Sequence, residues 1–177
     1  HINAMKEHDV PQWYIDSCFK IKYMFPKAHA AAYMIAALRL GWYKVHYPLE
    51  YYASYFTVRG GDIDAAILSG GLPAVKAKMR EIERKEKEKT ASAVEKNSYV
   101  TWQILNEMLC RGIEVLPVDI YKSSAKRYVV EDGKIRIPFN AVQGLGETAA
   151  VSLENAAKEG EFLSWDDIRE RTSISKT

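Results

Sequence analysis

Two cysteines in 177 residues, Cys18 and Cys110, stand far apart in helix-like apolar surroundings, so reduced structural thiols are favoured over a disulfide or a metal pair. That usage fits an intracellular, cytoplasmic protein. The four histidines, His1, His8, His29 and His46, show no H-x-x-x-H spacing, and no C-x-x-C pair exists, so neither a metal ion nor another cofactor is assigned to these residues. Charge of one sign is also lacking. A formal net charge of +2 is too small to draw nucleic acid to the molecule as a whole, and any DNA contact must come from local patches and backbone N–H groups. Long uncharged apolar runs are missing too. The most apolar stretch, Ala28 to Tyr43, is broken by His29, Arg39 and Gly41; it falls short of a membrane span and reads as a buried helix. No basic region followed by a cleavable apolar run opens the sequence, which argues against secretion.

What is present is 47% hydrophobic residues, enough for one well-packed core or two small ones. Pro11 precedes Trp13, Tyr14, Ile15 and Cys18, whose spacing predicts an amphipathic helix ending before Phe25-Pro26. The alanine- and leucine-rich run from Lys27, closed by Pro48, predicts a central helix. Arg39, its odd charged residue, either pairs with a carboxylate or faces a groove, and internal pairing is favoured because an unpaired buried guanidinium is costly. Leu49 to Val58 predicts a third helix, in which Tyr51, Tyr52 and Tyr55, with Tyr47 ahead of it, are core or interface aromatics. After the Gly70-Gly71-Leu72-Pro73 break, residues 74–89 place Val75, Met79 and Ile82 on one stripe. Seven basic and four acidic residues there are more consistent with a solvated face than with a phosphate-binding one. Glu81 with Lys85, and Glu83 with Lys87, fall at i, i+4. Trp102, Leu105, Met108 and Leu109 mark another helix, capped by Arg111-Gly112, and Ile113 to Leu116 turns to strand. Residues 126–130 and 134–137 flank Glu131-Asp132-Gly133, a hairpin signal. The fold class is mainly α, with one small β-hairpin.

The most informative stretch follows. Gly144-Leu145-Gly146 and the helix-forming run from Glu147 form the pattern of a helix-hairpin-helix phosphate clamp. Glycines flanking the turn allow positive φ and close approach to a ligand, and the helix start offers free N–H donors to an anion. Gly144, Gly146, Glu147 and Thr148 are the candidate duplex-DNA ligands, Thr148 adding a hydroxyl; such a clamp reads phosphates and not sequence. Two other readings compete: an ordinary glycine-containing helical turn, and a dinucleotide site, since the letters also satisfy G-x-G-x-x-A with Asp166 and Asp167 downstream. Pro138 between the strand-like residues and the glycines argues against the latter.

The segment Tyr23-Met24-Phe25-Pro26-Lys27-Ala28-His29-Ala30-Ala31-Ala32-Tyr33, followed by Tyr43-Lys44-Val45-His46-Tyr47-Pro48-Leu49-Glu50-Tyr51-Tyr52, resembles the bacterial replicative DNA polymerase III α subunit, most closely its PolC type. Asn106-Glu107-Met108, Arg111-Gly112 and Gly144-Leu145-Gly146-Glu147 look like the same pattern in the same order. The resemblance covers about Met5 to Lys176 and implies a fragment of a DNA-directed DNA polymerase. It implies a helical fingers segment over 1–72, an exposed charged helix or linker over 73–98, a helix plus β-hairpin over 99–137, and a helix-hairpin-helix duplex-binding module over 138–177, truncated where a second hairpin would start. The palm, with the carboxylates that hold Mg²⁺, is implied to lie outside these residues, leaving the fragment inactive alone. Primer-template DNA, dNTP in the whole enzyme and other replisome subunits are the implied partners. Lys27, His29 and Tyr33 are placed by the resemblance at the nascent base pair. Read from the residues alone, Lys27 and His29 at a helix start suit a phosphate or else are a solvated lysine and a cap, and Tyr33 stacks on a base or simply packs. A helical protein-interaction module without DNA binding is the alternative function.

Overall fold

The computed structural model describes residues 1–21 and 26–174, residue 62 by its backbone alone. Tyr23, Met24 and Phe25 of the polymerase-like motif, and the last residues of the expected second hairpin, 175–177, lie outside the described residues. Two compact units divide the chain, His1–Trp42 and Tyr43–Thr177.

The first unit holds α1 (Ile2–Glu7), α2 (Gln12–Lys20) and most of α3 (Lys27–His46). Pro11 sits at φ −56°, the value its ring imposes, and α2 begins at the next residue. Ile15 points inward and is the one buried side chain among the described residues of this unit. The helix expected from Lys27 forms, because alanine and leucine favour helix anywhere. It is not a buried helix: no residue of α3 is buried, and Leu38 and Val45 are 68% and 69% exposed. Apolar composition dictates the helix but does not supply its cover. Arg39 is exposed as well, so the expected internal ion pair is not needed to offset burial.

The second unit opens with α4 (Pro48–Arg59), with Pro48 at the helix start where its missing N–H costs nothing. Tyr52, Ala53 and Phe56 face the main core, and Tyr51 and Tyr55 pack half-buried against it. Tyr47, expected among the packing tyrosines, is half exposed. A short α5 (Ala65–Ser69), capped by Asp64, separates α4 from the Gly70-Gly71 break. There α6 (Gly71–Lys87) begins, and α7 (Ala93–Cys110) follows behind a capping box in which Ser92 and Glu95 each accept from the other's backbone N–H. Val75 and Ile82 of α6 meet Trp102, Leu105 and Met108 of α7 in the same core. The polar side of α6 is laced: Lys85 Nζ lies 2.7 Å from Glu81 and 2.5 Å from Glu95. Glu83 accepts from the Tyr99 hydroxyl, where the spacing had paired it with Lys87.

Gly112, at φ +80°, closes α7, and the chain turns to β1 (Val115–Leu116). β2 (Val129–Glu131) and β3 (Lys134–Arg136) form the expected antiparallel hairpin, turned by Asp132 at φ +50° and Gly133 at φ +74°. β1 adds itself to β3 in parallel, Val115 opposite Ile135, giving the order β1-β3-β2. Ile135 and Ile137 carry the sheet into the main core. A 3₁₀ turn (Phe139–Ala141) leads to α8 (Glu147–Glu159) and α9 (Trp165–Arg171), which close a second core of Ala125, Phe139, Ala150, Leu153 and Ile168.

Buried Arg136 is held on three sides. Its Nε and Nη2 both donate to the Glu131 carboxylate, the latter at 2.8 Å, and Nη1 donates to the Pro117 carbonyl at 2.8 Å. The Arg136 guanidinium holds the Glu131 carboxyl down from 4.5 to about 2, and Lys122 adds to the effect. A depressed folded-state value stabilises the fold above the ordinary carboxylate range, and that stabilisation disappears as pH falls through about 2. Thermal midpoints measured from neutral pH downwards should therefore drop below about pH 4.5, and Glu131→Gln should lower the neutral midpoint and flatten part of the acid slope. Identical slopes in the two proteins would contradict this account.

Candidate nucleic-acid interface

Gly144, Gly146, Glu147 and Thr148 form one contiguous exposed turn and helix start, as their spacing had placed them. Val142 N–H donates to the Phe139 carbonyl at 3.0 Å and Leu145 N–H to the Val142 carbonyl at 3.1 Å, so the turn is internally bonded. Leu145 packs half-buried against the second core, which turns both flanking glycines outward.

The two glycines differ in what requires them. Gly144 sits at φ +85°, where any Cβ is strained. Gly146 does not share that conformation, contrary to the expectation from sequence: it is the N-cap of α8 at φ −67°, ψ 159°, ordinary extended backbone. A Cβ added at Gly146 would meet nothing within 4 Å. Neither backbone strain nor packing within the chain demands a glycine there.

Gly146 brings no side chain to the cap of α8, so the first N–H groups of the helix, at Glu147 and Thr148, lack a capping side-chain acceptor. These donors and the positive end of the helix dipole face outward. Glu147 adds a carboxylate beside them, and Lys126 Nζ pairs with it from the loop before β2. That loop is fastened to the same helix: Glu154 accepts from the Ala125 N–H at 2.5 Å and, at 3.4 Å, from the Ser124 hydroxyl, and pairs with Lys158 at 2.8 Å. Hydrogen bonding from Lys158 holds the Glu154 carboxyl below its ordinary range, with the Ala125 N–H contributing. Lys126 and Glu154 lie 21 and 29 residues from their partners, and no local pattern in the sequence announces either contact.

The dinucleotide alternative loses its supports. A 3₁₀ turn, not a strand, precedes the glycines. Asp166 lies in the first turn of α9, 3.4 Å from Arg169, and Asp167 accepts from the Leu163 N–H. Ser164 is the N-cap of α9, as expected.

Lys27, His29 and Tyr33 lie on the first turns of α3, all exposed, and the His29 and Tyr33 rings stand 4.4 Å apart. They belong to the first unit and the glycine turn to the second, so the described geometry assembles two separate sets. Two further polymerase-like motifs do meet. Lys44 Nζ pairs with Glu107 at 2.6 Å and lies over the Tyr51 and Tyr52 rings, while Arg111 pairs with the other Glu107 oxygen at 2.8 Å. Burial raises the Glu107 carboxyl, but the Lys44 hydrogen bond and charge outweigh it and leave the value lowered. Burial pushes the adjoining Tyr52 hydroxyl up to about 12, which keeps it neutral beside this cluster. Among the described residues no group of three or more histidine, cysteine, aspartate or glutamate side chains gathers as a metal site, and no helix is long and apolar enough to cross a membrane.

The distinction between the glycines is measurable. Gly144→Ala should destabilise the second unit by about 1 kcal/mol, whereas Gly146→Ala, which meets no clash and costs only the poorer N-cap, should lower a urea unfolding midpoint less. Equal losses at both positions would show that Gly146 is also required by the fold.

Known proteins match this chain in sequence. The sequence profile of the helix-hairpin-helix motif matches residues 112–177. Over all 177 residues the chain is 51% identical to DNA polymerase III PolC-type of Streptococcus suis (strain 98HAH33) and 50% identical to that of Streptococcus sanguinis (strain SK36), covering 12% of each. The corresponding protein of Lactococcus lactis subsp. lactis (strain IL1403) is 48% identical, with 11% of its length covered. The chain thus spans about an eighth of the length of these relatives, and along its whole extent it is similar to one segment of the PolC-type DNA polymerase III sequences.

Proposed function

We propose that these residues serve a replicative DNA-directed DNA polymerase as its sequence-independent grip on duplex DNA and as part of its nucleotide-facing surface. The observation that carries the reading is the uncapped start of α8 behind an outward Gly-Leu-Gly turn, inside the segment matched by the helix-hairpin-helix profile. A phosphate approaching this turn meets N–H groups of Glu147 and Thr148 and the open side of Gly146, where a larger residue would stand in its way. Lys126 offsets the Glu147 carboxylate, so the acidic side chain does not repel the backbone unopposed.

On this reading residues 1–72 act as a fingers segment, 73–98 as a charged connecting helix, 99–137 as a helix with the β-hairpin, and 138–177 as the duplex-binding module. Lys27, His29 and Tyr33 contact the incoming nucleotide or template from the exposed start of α3. Nucleotidyl transfer belongs to a palm elsewhere in the enzyme, with its Mg²⁺ ions, and these residues alone are inactive. Primer-template DNA is the direct partner, dNTP a partner of the whole enzyme, other replisome subunits its company, and the cytoplasm its compartment.

Fluorescence anisotropy with a primer-template duplex at two salt concentrations tests the grip. The chain should bind less tightly as salt rises, and Gly146→Val should bind about tenfold more weakly with an unchanged helical circular-dichroism signal. Salt-sensitive binding retained in full by Gly146→Val would remove the clamp from the reading. Salt-insensitive behaviour, or none at all, would instead favour a protein-interaction module.

A further inference from the structure

The loop ahead of β2 carries three cations in six residues, Lys122, Lys126 and Arg127. Glu154 fastens that loop to α8 through the Ala125 N–H at 2.5 Å, so its side chains have a fixed neighbour in the helix. Glu147, Glu154 and Lys158 follow one another at seven and four residues, which at about 100° per residue puts them on one face of α8. The loop therefore lies along that face. Lys126 reaches Glu147 beside the glycine turn, while Lys122 and Arg127 line a cleft with Lys158 towards the other end of the helix.

The cleft encloses about 340 Å³, and three cations stand in it against one carboxylate, Glu154. The hollow lined by Glu83, Glu86 and Lys87 on α6 has the opposite balance. Lys122 pairs with Glu131 at 3.1 Å and Lys158 with Glu154 at 2.8 Å, their side chains 58% and 67% exposed. Exposed pairs of this kind contribute little, so a more strongly bound anion can take over both lysines. Neither carboxylate would be orphaned. Arg136 still holds Glu131 with two N–H donors, and Glu154 keeps the Ala125 N–H. Arg127 is exposed, and among the described residues no carboxylate pairs with its guanidinium. One uncommitted guanidinium beside two releasable ammonium groups matches the oxygens of a phosphate, which accept from both kinds of donor.

We propose that this cleft seats a second backbone phosphate of the duplex held by the glycine turn, with Arg127 as its standing donor and Lys122 and Lys158 turning to it from their carboxylates. The inference rests on the reading of that turn as a duplex contact. Glu147 and Lys158 are eleven residues apart, about 16 Å along the helix or about five base pairs of duplex rise, so the two seats take different phosphates and act independently.

A salt series with a primer-template duplex tests the cleft, comparing the 177-residue chain with Arg127→Gln, Arg127→Lys, Arg84→Gln and Gly146→Val. The logarithm of affinity against the logarithm of salt should lose about one unit of slope in Arg127→Gln, with about fivefold weaker binding at low salt and an unchanged helical circular-dichroism signal. Arg127→Lys should recover most of that slope. Arg84→Gln removes the same charge from an exposed position on α6 and should leave the slope as it was. The weakening factors of Arg127→Gln and Gly146→Val should multiply in the double variant. An unchanged slope in Arg127→Gln, or an equal loss in Arg84→Gln, would overturn the cleft while the glycine turn stood on its own result. A loss confined to Arg127→Gln, with Gly146→Val binding in full, would strike the turn and keep the cleft as a phosphate seat.

Discussion

The segment from Val118 to Ala125 is the constraint on which the second unit turns, because it belongs to both of that unit's cores. Val118 packs against the main core and against the smaller one, and Ala125 is buried in the latter. Several of its polar groups are bonded to neighbouring elements. Buried Ser123 donates to the Ile137 carbonyl at 2.8 Å and accepts from the Asp119 N–H, while Phe139 and Asn140 N–H groups donate to the Ser124 and Ala125 carbonyls. Glu154 then ties the same stretch to α8. Hydrogen bonds of this kind let an irregular, partly buried segment satisfy its backbone groups without a regular ladder. The glycine turn is therefore positioned relative to the sheet by hydrogen bonds as well as by apolar contact.

Much of this was readable in the residues. Proline and glycine punctuation located α2, α4, α6 and the end of α7, and Asp132-Gly133 located the hairpin, since each depends on local backbone chemistry. The stripe of Val75, Met79 and Ile82 and the set Trp102, Leu105, Met108 and Leu109 located helices by their period, and the apolar sides of those helices meet in the main core. What escaped was non-local. The parallel addition of β1 to β3 joins residues with no sequence signal between them, and the Lys126 and Glu154 contacts span whole elements. The error over α3 has a different origin: an apolar run states a need for burial but not where the burying surface is found.

Electrostatics divides the polymerase-like motifs into two kinds. Glu107 pairs with both Lys44 and Arg111, Lys44 lying over the aromatic rings of α4, and the cluster consolidates the fold. Gly144, Gly146 and Thr148 make no such use of themselves and remain at the surface. Both kinds of motif are indistinguishable as strings of residues.

Leu145 has a thermodynamic consequence. By burying itself between two exposed glycines, it holds the turn in its hydrogen-bonded form before anything arrives. A ligand that docks on this turn has little backbone left to order, so its binding enthalpy need not offset a local folding transition. The heat-capacity change of such an encounter would be small, reflecting the polar contact area alone and none of the signature of coupled folding.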